Sequence, residues 1–436
     1  MEENQFPLIN IPILTGTKGR KRKVYFRKGM KEFNTMDDFE FEEKTVLLRV
    51  DYNLPLDRET LEILDTTRIK ESLPTIEELK RKKAKTVILA HQGRPGGWDF
   101  TSMEKHAKAL SELIDADVKF VDDVCGEKAI SAIKSADYGE IVFLDNVRKF
   151  PGEMEKKSPE EHAKSELVQR LAPLADIFVN DAFAAAHRKQ CSLIGFTAVM
   201  PSCAGRLMEK ELKTLEKLVT NPEKPAVFLF GGAKYSDVVK TTERLFESGV
   251  ADKVLLAGLP ANAFLKAKGE NLGEVNENAL KEEGSPELFE RMKKIIERFG
   301  ENIILPTDVA VEKDGGREEI ETEKLPTDHP IYDIGTETIG IFKEEIRKAK
   351  TIFVSGPCGV FEKEHFMKGT EEVFKAIAES GAFSIAGGGH TIAAIEKIGI
   401  RDKISHISTG GGSLEKFMMG EKLPVIEALK AAKSRR

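Results

Sequence analysis

Cysteine is scarce in this chain, and long apolar runs are absent. The four cysteines, Cys125, Cys191, Cys203 and Cys358, stand far apart, with no Cys-x-x-Cys pair and no histidine at zinc-finger spacing. That excludes a disulfide framework and a structural zinc site, and leaves buried thiols in a reducing cytoplasm as the expectation. No apolar stretch approaches the roughly 18 residues of a membrane-crossing helix, so no membrane partner is expected. The segment over 6–14 is apolar but follows Glu2 and Glu3 and is interrupted by Pro7 and Pro12, which does not read as a signal peptide. A strong charge of one sign is also lacking. With 67 Lys and Arg against 73 Asp and Glu, the net charge is only −6, too even a balance for wholesale nucleic-acid binding. Both common nucleotide fingerprints are missing: there is no Gly-x-x-x-x-Gly-Lys-Ser/Thr loop and no Gly-x-Gly-x-x-Gly turn with a matching acid. No short repeat or low-complexity tract is present.

What is present fits two domains of roughly 200 residues each in a chain of 436. Hydrophobic residues make up 40%, enough for buried cores, and charged residues of both signs make up 32%, which suits a soluble surface. A basic run over 18–31, holding Arg20, Lys21, Arg22, Lys23, Arg27 and Lys28, reads as a solvated extension. From Lys44 onward the hydrophobic pattern alternates between strand and helix periods. It predicts strands over 45–50, 86–90, 118–121, 140–144 and 176–179, with helices over 66–83, 102–114, 126–136 and 158–175. An amphipathic segment over 205–218 follows. Strands then recur over 226–230, 253–256, 302–305, 351–354, 382–386 and 404–407, with an acidic, Gly- and Pro-containing excursion over 312–333. Two doubly wound α/β domains with parallel sheets, Rossmann-like and joined by a hinge helix, are the fold this order predicts.

In open α/β sheets ligands bind beyond the carboxyl ends of the strands. In the first half those positions hold Arg49, Asp51 and Asn53, then His91, Gly93 and Arg94, then Asn146 and Arg148, then Asn180, Asp181, His187 and Arg188; Arg68 opens the first helix. Guanidinium forks match carboxylate and phosphate geometry, so the lining suits a small, multiply anionic ligand. The second half instead offers glycine loops: Gly231, Gly232 and Lys234; Gly387, Gly388, Gly389, His390 and Thr391; and 408–412. Gly258, Asp308 and the stretch 355–359 leading to Glu362 join them. Glycine lets the backbone approach an anion closely, and the free N–H groups of a first helical turn point at it. A nucleotide polyphosphate fits such loops, with Glu362 accepting from ribose hydroxyls.

The motifs Arg-Val-Asp-Tyr-Asn-Leu-Pro at 49–55, His-Gln-Gly-Arg-Pro at 91–95, Asp-Asn-Val-Arg at 145–148, Asn180-Asp-Ala-Phe with His187-Arg188, Gly-Gly-Ala-Lys at 231–234, Ser-Gly-Pro-Cys-Gly at 355–359, Gly-Gly-Gly-His-Thr at 387–391 and Ser-Thr-Gly-Gly-Gly at 408–412 occur in one order. Together the chain resembles the phosphoglycerate kinase family from about Lys44 to the C-terminus. The resemblance implies reversible phosphoryl transfer between 1,3-bisphosphoglycerate and ADP, giving 3-phosphoglycerate and ATP with Mg²⁺, in a cytoplasmic monomer. It implies a triose domain over 1–204 with an extension over 1–43, a nucleotide domain over 205–409 beginning with the hinge helix, and a segment over 410–436 returning to the first domain. By the same resemblance, Asp51, Asn53, Arg68, His91, Arg94, Arg148 and Arg188 contact the triose. Gly231, Gly232, Lys234, Lys240, Gly258, Glu362 and the stretch Gly387, Gly388, Gly389, His390 and Thr391 contact the nucleotide. Arg68, Lys234, Gly387 and Gly388 are the expected transition-state groups.

Three positions depart from the family pattern: Tyr52 stands where Phe is usual, Val238 where a second lysine is common, with Lys240 nearest, and His390 where an Asp is usual. The His390 form and the shifted lysine resemble the archaeal branch, and they leave the metal without an assigned ligand. A non-catalytic binding protein on the same scaffold and a kinase for another phosphorylated acid remain alternatives, although binding alone would not require both Arg68 and Lys234.

Overall fold

The computed structural model describes residues 32–435, so the basic run over 18–31 lies outside the described residues. Two six-stranded parallel sheets organise the chain. In the first half, β1 (Thr45–Arg49), β2 (Lys85–Leu89), β3 (Val118–Val121), β4 (Ile141–Leu144), β5 (Ile177–Asn180) and β6 (Ser202–Ala204) pair in the order β3-β4-β2-β1-β5-β6. The second half opens with β7 (Ala226–Phe230), β8 (Lys253–Leu256) and β9 (Ile303–Ile304). A small antiparallel sheet of β10 (Asp308–Lys313), β11 (Gly316–Glu321) and β12 (Ile331–Ile334) forms the excursion. Then β13 (Thr351–Ser355), β14 (Phe383–Gly387) and β15 (His406–Ser408) complete the order β15-β14-β13-β7-β8-β9. Counted from β7 this is the 3-2-1-4-5-6 winding of a dinucleotide-fold sheet. Winding reverses between β1 and β5 in the first sheet and between β7 and β13 in the second, and the loops at those points frame the crevices where ligands bind.

Strands covered by helices on both faces read as unbroken apolar runs, and these do. Along β1, Val46 and Leu48 join one buried cluster while Leu47 joins the cluster on the opposite face. Along β7, Phe228 and Phe230 face one way, Val227 and Leu229 the other. The cluster around Phe228 does not stop at its own sheet. It takes in Phe183 and Leu193 of the first half, Met208, Leu212 and Leu215 of the joining helix, and Val425 and Leu429 near the C-terminus. The two halves thus share one apolar joint.

The joining helix spans Arg206–Thr220, and its start is built from the first half. Gly205 precedes it because a Cβ there would lie 2.3 Å from the Asp181 carboxylate. That carboxylate accepts the Met208 N–H at 2.9 Å, and Thr75 Oγ1 accepts the Arg206 N–H at 2.7 Å. A strand end and a neighbouring helix therefore supply the cap that the helix's own residues lack. At the other end of the chain the helix Pro424–Ser434 lies on the first half: Val425 N–H donates to Ala186 O at 3.2 Å, and Lys430 pairs with Glu32 at 2.6 Å.

Two elements differ from the sequence expectation. The helical stretch over 158–175 is broken into Pro159–His162 and Glu166–Leu171, because Ser158 and Ser165 each cap a separate start, accepting from Glu161 and Val168 N–H. The strand β6 went unread, being three residues long. It pairs with β5 on one side, and Ala204 N–H donates to Asn34 O at 2.9 Å on the other.

Candidate active site

The first crevice gathers side chains from the loops after β1, β2, β4 and β5. Asp51 pairs with Arg68 at 2.6 Å and also accepts the Asn53 N–H at 3.1 Å. Burial alone would raise the Asp51 carboxyl, but Arg68, then His91 and Arg49, outweigh it and hold it below its ordinary range. Asn53 reaches across to accept the Gly93 N–H at 2.8 Å, which fixes the loop carrying His91 and exposed Arg94. Gly93 has φ +65°, and a Cβ on it would meet the Asp99 backbone at 2.5 Å. Gln92, which the sequence reading passed over, ties the same loop down by accepting the Leu54 N–H at 2.8 Å and meeting His106 Nε2 at 3.0 Å.

Three buried donors in this crevice have no acceptor: His91 Nε2 and Arg148 Nε and Nη2. Arg148 Nη1 bonds Gly93 O, so the side chain is anchored at one corner only. Burial, with Arg188 and Arg49 nearby, lowers Arg148 to about 10, still cationic at neutral pH. Burial drives His91 well below its ordinary value against the pull of Asp51, so the ring is neutral. Arg188 Nε donates to His187 Nε2 at 3.3 Å. Stranded donors and crowded cations of this kind are what a multiply charged anion would satisfy.

In the second half, a cavity of about 590 Å³ opens beneath the antiparallel sheet, lined by Gly258, Asn262, Val275, Tyr332, Val360 and Glu362 among others. A second of about 390 Å³ lies beside it, with Lys234, Asp237, Gly388, Gly389, Thr391 and Glu415 in its wall. Gly232, Ala233, Pro357 and His390 border both. The loops there cross so closely that a Cβ on Gly231 would sit 2.1 Å from Pro357 O, and one on Gly258 2.6 Å from Gly232 O. Gly388, at φ +95°, precedes the helix Gly389–Ile398. The N–H groups of that helix's first turn, which have no preceding carbonyl to bond, therefore open towards the smaller cavity. Thr391 Oγ1 is spent internally, accepting the Gly356 N–H at 2.7 Å.

Not every expected residue faces a cavity. Lys240 is exposed, pairs with Asp237 at 3.3 Å and lines neither space. Val238, not a lysine, borders the smaller one. Gly387 also lines neither; a Cβ there would strike Leu414 Cδ2 at 2.0 Å, so its bareness admits the C-terminal stretch. Asp308 caps the helix Thr336–Lys348, accepting the Glu337 and Thr338 N–H groups at 2.9 and 2.8 Å, and is committed to structure.

The third glycine loop joins the halves. His187 N–H donates to Ser413 Oγ at 3.1 Å, the His187 ring lies 3.4 Å from where a Gly412 Cβ would be, and Gly411 lines the smaller cavity. On the joining helix, buried Glu211 accepts the Thr409 N–H at 3.0 Å and meets His406 Nε2 at 3.0 Å.

The profile of the phosphoglycerate kinase family matches residues 36–421. The phosphoglycerate kinase of Methanobacterium bryantii is 49% identical over 401 residues, covering 92% of this chain and 98% of that protein. That of Methanothermus fervidus is 47% identical over 406 residues, covering 93% and 99%. Among solved structures, phosphoglycerate kinase from Pyrococcus horikoshii OT3 superposes with a TM-score of 0.84 at 42% identity, covering 92% of this chain and all of that one.

Proposed function

The chain belongs to the phosphoglycerate kinase family, and we propose how its two halves divide the work. The reaction is reversible phosphoryl transfer between 1,3-bisphosphoglycerate and ADP, giving 3-phosphoglycerate and ATP. In our reading the first crevice holds the triose, on Asp51, Asn53, Arg68, His91, Arg94, Arg148 and Arg188. The observation that carries this assignment is the set of buried donors without acceptors on His91 and Arg148. Each costs roughly 1–3 kcal/mol or more while unpaired, and triose phosphate or carboxylate oxygens remove that cost. The larger, mainly apolar cavity takes base and ribose, with Glu362 accepting from the ribose. The smaller takes the polyphosphate on Lys234 and the helix start at Gly389.

The phosphoryl group exchanged with ADP sits on a carboxylate, already ionised at neutral pH, so the central step needs no general base. What the chain must do is align the reactants and offset charge on the moving group. In our reading Arg68 from the first half does this with Lys234, Gly388 and the helix start at Gly389 from the second, while Gly387, which lines neither cavity, serves to admit Leu414. Mg²⁺ supplies further charge neutralisation when it arrives with ATP or ADP. Among the described residues no cluster of three or more His, Cys, Asp or Glu is arranged to hold a metal. The carboxylates of Asp237 and Glu415 border the polyphosphate cavity, and such oxygen donors suit a hard cation carried mainly by nucleotide oxygens and water. No helix among the described residues is long and apolar enough to cross a membrane. One chain carries both sites, and we place the enzyme in the cytoplasm as a monomer.

Titration calorimetry on Arg148→Met tests the division. Affinity for 3-phosphoglycerate should fall at least tenfold while that for ATP is unchanged. Equal losses for both ligands would contradict it.

A further inference from the structure

Behind the first crevice runs a buried chain of polar groups that the reaction itself does not call for. Glu153 is fully buried and grips Ser192 twice, accepting its N–H at 2.8 Å and its O–H at 2.7 Å. With the hydroxyl proton committed to Glu153, the free lone pairs of Ser192 Oγ accept Arg49 Nε–H at 2.9 Å. Arg49, also fully buried, directs Nη1 to Val50 O and Nη2 to His91 Nδ1, the latter at 3.0 Å. We propose that Glu153 and Ser192 are positioning residues acting through Arg49 to hold His91 in its Nε2–H tautomer, ready to donate to the triose. The final clause rests on the placement of the triose given above.

The direction of each hydrogen bond forces the next. A guanidinium has only donors, so the His91 nitrogen facing it must be bare. A neutral imidazole has one proton, which is then on Nε2, and Nε2 is the buried atom left without a partner. Around the ring stand Asp51, Arg49, Arg148 and Arg188. Asp51 Oδ1 is taken by Arg68 and the Asn53 N–H, and His91 Nε2 reaches no protein acceptor, so an incoming anion is the acceptor the Nε2 proton lacks. Burial keeps the ring neutral, and protonation of Nδ1 would in addition set a proton against Arg49. Replacing Glu153 by Gln reverses the order. An amide that accepts the Ser192 N–H presents its own N–H to Ser192 Oγ, so the hydroxyl proton loses its acceptor and the negative charge that faces Arg49 is removed. Arg49 is then displaced, and both His91 tautomers become available.

The test uses ¹⁵N-histidine NMR of the whole ligand-free protein, with His91 assigned by its loss in His91→Gln, and kinetics with 3-phosphoglycerate. The native ring should show Nε2 protonated and Nδ1 bare; Glu153→Gln and Ser192→Ala should mix the tautomers. KM for 3-phosphoglycerate should rise about tenfold at pH 8 with little change in kcat. In a His91→Gln background neither substitution should raise KM further. If Glu153→Gln does not fold, Ser192→Ala, which removes no charge, carries every measurement. A single Nε2–H tautomer in both variants overturns the proposal, as does a KM loss that persists undiminished without His91. Mixed tautomers with unchanged KM would uphold the relay and overturn the triose placement instead.

Discussion

At the scale of single residues, Arg68, the transition-state group proposed in the first half, is kept in place before substrate arrives. Its guanidinium is one-third exposed yet tied at 2.6 Å to a buried carboxylate that cannot move with it, so it faces the crevice with little entropy left to lose. Lys234 has no such tether; it stands exposed in the wall of the smaller cavity. Arg68→Ala and Lys234→Ala should each lower kcat by roughly 100-fold or more, with a much smaller change in KM. Steady-state kinetics with a loss confined to KM would remove both from the transition state. His390 presents a different question, since it borders both cavities at the start of the helix Gly389–Ile398. Imidazole is a poor exchange for carboxylate on Mg²⁺, and a donor at a helix start serves a phosphate oxygen better. His390→Ala should therefore weaken nucleotide binding several-fold and leave the Mg²⁺ concentration for half-maximal activity nearly unchanged, while His390→Asp lowers that concentration. A large rise in the Mg²⁺ requirement of His390→Ala would show that the imidazole supports the metal.

At the scale of elements, the start of the joining helix carries a cost that pH exposes. Burial raises Asp181 to about 6 despite the N–H groups it accepts, whereas an unfolded Asp titrates near 3.9. Between those values the folded chain binds more protons than the unfolded one, so this group's stabilisation is full below about pH 4 and is lost as pH rises through about 6. Asn cannot ionise but still offers an oxygen to Met208. Asp181→Asn should therefore gain stability relative to the native chain between pH 4 and 7, by up to about 3 kcal/mol. Denaturant unfolding at the two pH values reads the difference, and an identical offset at both would refute it. Elements were legible in the sequence where burial dictates composition. The parallel strands and the joining helix announce themselves through apolar periodicity, and the glycines and arginines mark the loops that follow. Legibility failed where a local cap overrides periodicity or where a partner distant in sequence decides. Ser165 restarts a helix that periodicity alone would continue, and β6 is a strand because β5 and Asn34 flank it. Lys240 points away because it lies roughly 200° around its helix from Val238. Glu153, Ser192 and Gln92 act on residues from 38 to 143 positions away, a relation no local pattern encodes.

At the scale of the whole molecule, the question is how two sites at the ends of different sheets come to share one reacting phosphorus. In-line transfer needs the reacting atoms about 3–3.5 Å apart and water excluded. A crevice open between the halves meets neither requirement. The connections between the halves allow motion without parting: a single helix, an apolar cluster continuous through it, and the 408–412 loop held between His187 and Glu211. Apolar contacts are non-directional and tolerate sliding, while the paired hydrogen bonds keep the third glycine loop moving with both sides. A ligand shifts such an equilibrium only by its difference in affinity for the two states. On the proposed division, triose alone would touch only the first half and nucleotide only the second, so each would favour closure weakly. Together they would bridge the crevice and bring Arg68 to the phosphoryl group that the proposal sets beside Lys234. Small-angle scattering should accordingly show slight compaction with either ligand and the smallest radius of gyration with 3-phosphoglycerate and a non-hydrolysable ATP analogue together. Arg68→Ala, which lacks the group that meets the nucleotide across the gap, should compact less in the ternary complex. A radius of gyration unchanged by the two ligands together would mean that the joint does not close, and that transfer must be arranged some other way.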